Sequence, residues 1–219
     1  ELEKLYGKKI TLAERELVEQ SDEIVAHAKG HDAALLVIGD PLTATTHLDI
    51  IMRARKENVK VGVVHNASIT SAVGITGLQV YKFGKTVTIP FPEINFKPEI
   101  FYEVLKQNMI LGLHTLLLLD LKPKESKFMT IAQAIETLLG IEGKRKEDVF
   151  NERTMCIGCA RVGSEGQKIA YGTAGHLKKV DFGKPPYSLI VPGELHFMEE
   201  EALAIWKLPD GKTEPNQKI

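Results

Sequence analysis

The sequence predicts an α/β protein: a parallel sheet wrapped by helices, followed by a second α/β domain with shorter strands. Three observations carry this. Apolar runs at 34–38, 61–64 and 115–121 alternate with stretches of helical periodicity, the pattern of strands buried on both faces of a parallel sheet. The first two runs lead directly into turns rich in Gly, Asp, Ser, Thr, His and Asn, where open α/β sheets hold ligands. Beyond the polar, proline-containing segment 122–127 the strands shorten and glycine turns multiply, which places two domains at 1–121 and 122–219.

In chain order, 9–12 is a short strand candidate. Residues 14–28 carry Leu17, Val18, Ile24, Val25 and Ala28 at helical spacing. After the first strand and its turn, 47–58 sets Leu48, Ile51, Met52 and Ala54 mostly opposite Arg53, Arg55, Lys56 and Glu57. Thr45 or Thr46 is placed to cap that helix. The second strand and turn lead to a short helix over 69–74, ended by glycine. Residues 80–89 are extended, 90–98 form a proline-punctuated loop, 99–111 a helix, and 115–121 a strand interrupted late by Asp120. In the second domain a helix over 130–139, capped by Thr130, precedes strands at 154–161, 167–172 and 188–191. A helix over 199–206 follows, and the charged tail from Asp210 is expected to be disordered.

Composition narrows the function classes. The 219 residues are 43% hydrophobic and 26% charged, with net charge −1, which marks neither a nucleic-acid nor a membrane partner. The basic run Lys144-Arg145-Lys146 is flanked by acids and reads as a solvated loop. No apolar run approaches the roughly 20 residues that span a bilayer, and no signal peptide is recognised. Cys156 and Cys159 lie on one apparent buried strand, where residues three apart face opposite ways, so they read as structural thiols of a reducing cytosol. The chain opens at Glu1, without methionine, in what reads as the tail of a helix, so an upstream segment is expected to be missing.

There is no P-loop, dinucleotide fingerprint or G-x-S-x-G elbow, so neither a phosphate ligand nor serine hydrolysis is indicated. The turn at 39–47 offers amides, hydroxyls and one carboxylate, a set suited to a small zwitterionic or cationic molecule. The plainer reading is that Asp40 and Thr43 simply cap turns. No H-x-x-x-H or H-x-H set is present, so metal ligation is not expected. His47, His65, His114 and His196 each fall at a strand end or helix start, either as hydrogen-bonded structural residues or as bases gathered at one rim.

Gly39-Asp40-Pro41-Leu42-Thr43-Ala44-Thr45-Thr46-His47, His65-Asn66-Ala67-Ser68-Ile69, Gly77-Leu78-Gln79-Val80-Tyr81-Lys82-Phe83-Gly84 and His114-Thr115-Leu116-Leu117-Leu118-Leu119-Asp120 resemble the diphthine synthase family of the tetrapyrrole-methylase superfamily. Ala160-Arg161-Val162-Gly163 and Val191-Pro192-Gly193-Glu194-Leu195-His196 extend the resemblance over nearly the whole chain. It implies two α/β domains with a cofactor cleft between them, S-adenosylmethionine as methyl donor and S-adenosylhomocysteine as product. It also implies a cytoplasmic homodimer whose protein substrate is translation elongation factor 2, with no nucleic acid, membrane or metal involved. The reaction implied is methylation of the aminocarboxypropyl-histidine of that factor on the way to diphthamide.

Residues 95–102 and 112–115 resemble the eukaryotic branch, which adds four methyl groups to give diphthine methyl ester; the archaeal type adds three. Carried over by motif, the cofactor contacts are Asp40, Thr43, Ser68, Ile69, Leu119, Tyr171 and His196. His47, His65 and Asp120 are the residues considered as catalytic helpers. The family's first strand and Gly-rich turn find no match here, so the first domain is expected to lack them. Two alternatives are a related methyltransferase acting on a small molecule such as a precorrin, and a non-catalytic binding module of the same fold.

Overall fold

Helix α1 (Leu2–Tyr6) stops where Gly7 turns left-handed, at φ 61°. In this computed structural model, which describes residues 1–19, 22–93 and 98–209, the chain forms two units, Glu1–Ser68 and Ile69–Ile219. The predicted charged tail from 210, and the middle of the proline loop with part of 95–102, lie outside the described residues.

In the first unit the predicted 14–28 helix is present as α2 (Arg15–Glu19) and α3 (Glu23–Ala28). Helix α4 (Leu48–Lys56) ends on Arg53, Arg55 and Lys56, cations that suit the negative end of a helix. Arg53 ties α4 to α2 and to the start of α3, donating to Asp49 (2.8 Å), Asp22 (2.9 Å) and the carbonyl of Val18 (2.7 Å). The expected threonine cap is not made. His47 holds the N-cap position without a side-chain cap bond, and the Thr46 hydroxyl donates to Glu19 instead.

The short strand expected at 9–12 is not formed, and neither are the strands expected at 34–38 and 61–64. The latter two segments have no ladder partner among the described residues, and Ile38 and Val64 are exposed. A continuous apolar run signals burial, but a strand forms only where neighbours satisfy its N–H and C=O groups.

In the second unit α5 (Ile69–Ala72) passes into a 3₁₀ turn, Val73–Thr76, and ends at Gly77 rather than Gly74. A second 3₁₀ turn, Val80–Lys82, occupies the start of the segment expected to be extended. Then come β1 (Val87–Ile89), α6 (Ile100–Ile110) and β2 (Thr115–Leu119). Residues 121–128 form a small hairpin, β3 (Leu121–Lys122) and β4 (Lys127–Phe128). Helix α7 (Ile131–Arg145) starts in a capping box, with Gln133 N donating to the Thr130 hydroxyl and Thr130 N to the Gln133 amide. It runs through two glycines past the expected end at 139. The basic run predicted as a loop is its last turn and C-cap. Arg145 there is mostly buried, stacks on Tyr102 at 4.7 Å and pairs with Glu99, Glu103 and Glu147.

The chain finishes with β5 (Met155–Ala160), β6 (Lys168–Thr173), α8 (Ala174–Leu177), β7 (Tyr187–Val191) and α9 (Phe197–Leu203), the last extended by a 3₁₀ turn to Trp206. The strands form one mixed sheet in the order β1-β2-β7-β5-β6. Only β1 and β2 are parallel; β7 reverses against β2 and β5, and β6 against β5.

Alternation along these strands feeds two cores. Leu117, Leu189, Cys156 and Ala160 face a cluster with Phe101, Leu105, Ile135 and Leu138 of α6 and α7. Leu116, Ile190, Ile157 and Cys159 face the other cluster, with Leu203 and Trp206. The two thiols are therefore free, fully buried and on opposite faces, as the sequence predicts. Burial pushes the Cys159 thiol up to about 12, and that of Cys156 higher still, so both stay protonated. Among the described residues no helix is long and apolar enough to cross a membrane.

Candidate functional site

Gly39, at φ 85°, turns the chain at the end of the 34–38 segment and delivers Asp40 into a network of donors. One Asp40 oxygen accepts from Leu42 N (2.9 Å) and the Thr43 hydroxyl (3.1 Å). The other accepts from His65 Nδ1 (2.9 Å) and Asn66 N (3.2 Å), joining the turn after 34–38 to the turn after 61–64. The Leu42 amide and His65 do most to hold the carboxyl well below the usual carboxylate range, helped by Asn66 and Thr43. Asp40, Thr43 and His65 are thus brought together, with Asp40 acting as the organiser of both turns.

Two imidazoles in this unit are fixed in the same sense. His47 Nδ1 lies 2.8 Å from the Pro41 carbonyl, which can only accept, so Nδ1 carries the proton. His65 Nδ1 faces the ionised Asp40 carboxylate and carries its proton for the same reason. In each neutral ring Nε2 is left with its lone pair, the arrangement a proton acceptor requires. Ser68 closes this unit immediately before Ile69, the first residue of α5.

In the second unit, Ile69 and Tyr171 both pack against the cluster under α9. The Tyr171 carbonyl accepts from Leu208 N at 2.9 Å, and burial raises its phenol above the ordinary range. Leu119 ends β2 in a shallow depression lined also by Asp120, Phe128, Pro186 and Tyr187. Asp120 uses one oxygen on Leu121 N and the other on Phe91 N, both at 2.8 Å, clamping the ends of β1 and β2. His196 opens α9: its Nδ1 accepts from Met198 N (3.3 Å) and its ring packs on Phe197. Its neutral ring therefore carries the proton on Nε2, the opposite tautomer to His47 and His65.

Glu199 is the residue that sequence reasoning missed. It is fully buried and accepts from Gln79 N (2.8 Å), His114 Nε2 (2.9 Å), Lys82 Nζ (2.6 Å) and His196 N (2.8 Å). Burial would raise its carboxyl, but these four donors overcome that and bring it to about 2. His114 is likewise fully buried rather than at a rim. Its Nδ1 accepts from Gly193 N (2.9 Å), so the proton on Nε2 faces Glu199, and burial lowers its basicity. The reciprocal bond between the His196 amide and an acid three residues on is a capping-box pattern, and this spacing was the available signal for Glu199. No group of acids, histidines and cysteines fit to hold a metal occurs among the described residues.

The class of the protein is shown by comparison with known families. Residues 4–178 match the model of the Tetrapyrrole (Corrin/Porphyrin) Methylases, and the chain belongs to this methyltransferase family.

A diphthine synthase of Methanococcus aeolicus is 46% identical, the match covering 92% of this chain and 79% of the relative. A diphthine methyl ester synthase of Dictyostelium discoideum is 44% identical, covering 91% and 79%. A crystal structure of diphthine synthase superposes with a TM-score of 0.82 at 36% identity, covering 94% of this chain and 78% of that one. The α/β fold of the tetrapyrrole-methylase type that the sequence predicts is the fold the chain has.

Proposed function

We propose that the protein methylates the aminocarboxypropyl-histidine of translation elongation factor 2, with S-adenosylmethionine as donor, in the synthesis of diphthamide. The observation that carries this is identity of 44–46% over more than nine-tenths of the chain to enzymes named for that product. Asp40, Thr43, Ser68, Ile69, Leu119, Tyr171 and His196 are proposed to hold the donor, and the division into domains of 1–121 and 122–219 belongs to the same reading. We take the enzyme to be a cytoplasmic homodimer of the eukaryotic type, making four transfers, three to an amine and one to a carboxylate.

When bound, the donor supplies an electrophilic methyl group on a sulfonium and leaves as S-adenosylhomocysteine. The chain's own task is alignment of acceptor and methyl for in-line displacement, which the rigid Asp40 turn serves. For the amine a second task arises. An alkyl amine with a pKa near ~10 is almost wholly protonated at neutral pH, and its lone pair is freed only if a base accepts the proton or the site desolvates it. His47 and His65, each with Nε2 unprotonated in the neutral ring, are suited to that acceptance. Asp120 is the third residue considered, and its existing bonds favour a positioning role. The carboxylate acceptor is already an anion and needs no base.

The test is transfer of labelled methyl from S-adenosylmethionine to elongation factor 2 that carries the aminocarboxypropyl-histidine. Mass shifts of four methyl groups on that residue are expected. Three would place the enzyme with the archaeal type, and no label in the factor would overturn the reading.

A further inference from the structure

We infer that Lys82, His114 and Glu199 form a clamp that fixes the main chain of 193–196 and thereby sets the position of His196; the inference rests on the reading of His196 as a contact of the methyl donor. The clamp touches this loop at three main-chain points. Gly193 N donates to His114 Nδ1 (2.9 Å), Lys82 Nζ donates to the Glu194 carbonyl (2.6 Å), and His196 N donates to Glu199 (2.8 Å). The three side chains also bond one another, with Glu199 central, 2.9 Å from His114 Nε2 and 2.6 Å from Lys82 Nζ.

The clamp's members come from three separate stretches: the 3₁₀ turn Val80–Lys82, the residue before β2, and α9. Outside the clamp, the loop is held where Glu194 N donates to the Gly112 carbonyl (3.0 Å) and where Leu195 packs on the cluster under α9. Gly193 lies so close to Gly112 that a Cβ there would fall 2.4 Å from the Gly112 carbonyl oxygen, so Gly193 itself has no side chain with which to anchor. An ionised carboxylate and an imidazole with 0% exposure are costly unless every bond is made, and apolar residues of the same volume would pack the sheet as well. What apolar residues could not do is satisfy the Gly193 and His196 amides and the Glu194 carbonyl. Recognition geometry held through such supporting bonds is sensitive to displacements of about 1 Å.

The experiment is calorimetric titration of the protein with S-adenosylhomocysteine, at a temperature well below each variant's melting point. Glu199→Gln is expected to weaken binding by about 10- to 100-fold. Lys82→Met, which loses the Glu194 contact but leaves the His114–Glu199 pair, is expected to weaken it less, with Lys82→Arg restoring most of the loss. Glu201→Gln, exposed on the same helix, should bind as wild type. A merely structural role would lower the melting point and leave the folded fraction's Kd unchanged, and that result overturns the clamp. If Glu199→Gln does not fold, Lys82→Met decides alone, and wild-type affinity there overturns the inference. If the wild-type protein itself binds no S-adenosylhomocysteine, the donor reading fails instead. The clamp is then read without ligand: the Gly193 and His196 amides must exchange with solvent faster in Lys82→Met than in wild type, and unchanged exchange overturns it.

Discussion

Asp40 spends both of its carboxylate oxygens inside the protein, where they join two turns. Its side chain is only 9% exposed, and all four of its described bonds go to Leu42, Thr43, His65 and Asn66. Asp40→Asn keeps the shape but replaces an accepting oxygen with a donor, so the bond from either Leu42 N or Asn66 N is lost whichever way the amide turns. The expected result is S-adenosylhomocysteine binding weakened about tenfold or more, with a lower melting point; calorimetry and a thermal melt check it, and wild-type affinity would show that the turn does not need the charge. His47 and His65 call for a different assay, because amine and carboxylate acceptors differ in their need for a base. Replacing the ring that accepts the proton, as His47→Asn or His65→Asn, should slow the amine transfers about 10²- to 10⁴-fold and leave the ester-forming step near wild type. Stepwise mass spectrometry of the acceptor separates these, and equal slowing of every step assigns that ring to positioning.

At the scale of elements, the turn after α5 depends on a residue without a side chain. Gly77 has φ 94°, and a Cβ there would lie 2.2 Å from the Ala202 Cβ of α9. Gly77→Ala therefore combines a strained conformation with overpacking and should cost about 1–3 kcal/mol or more in urea unfolding. Thr130→Ala removes the cap of α7 and should cost about 1 kcal/mol, with the exposed Glu201→Gln near zero as reference. How legible such elements are follows from their physics. The strands at 155–160, 168–173 and 187–191, α6, and the Thr130 cap all follow from local pattern, because periodicity and cap chemistry are written within a few residues. The extent of α7 does not: Ile141 is buried and Arg145 reaches three acids, and those tertiary contacts carry the helix through Gly140 and Gly143. The absent ladders at 34–38 and 61–64 were illegible for the reason that pairing needs a second chain segment, which a run of valine and leucine does not specify. The site was half legible. Asp40 and Thr43 stand out by residue type at a strand-end turn, whereas Glu199 reads as an ordinary helix-start acid until Lys82 and His114 are seen to converge on it.

For the whole molecule these local bonds sum into a pH dependence of definite sign. The carboxyls of Asp40 in the first unit and Glu142 and Glu199 in the second all lie below their ordinary values, the two glutamates at about 2 against 4.5. For Glu142 burial pushes upward, but Tyr102 and the amides of Phe150, Val149 and Asp148 outweigh it. An acid with a depressed folded pKa contributes stability that is complete above its unfolded value and is lost as pH falls through the folded one. His114 acts in the same direction from a higher starting point. Burial holds it below 6.5, so the unfolded chain takes up that proton first, and stability begins to fall as pH drops below 6.5. With 28 Lys and Arg and 7 His against 29 acids, protonation of the carboxyls also leaves a strongly cationic chain that repels itself. The melting point should therefore be nearly level from pH 8 to 7, decline gently below 6.5, and fall steeply from about 4.5 towards 2. His114→Asn should remove the gentle limb and leave the steep one, and Glu199→Gln should shallow the steep limb. Thermal melts across this range test both, and a wild-type melting point that rises between pH 6.5 and 5 would contradict the buried, neutral state of His114.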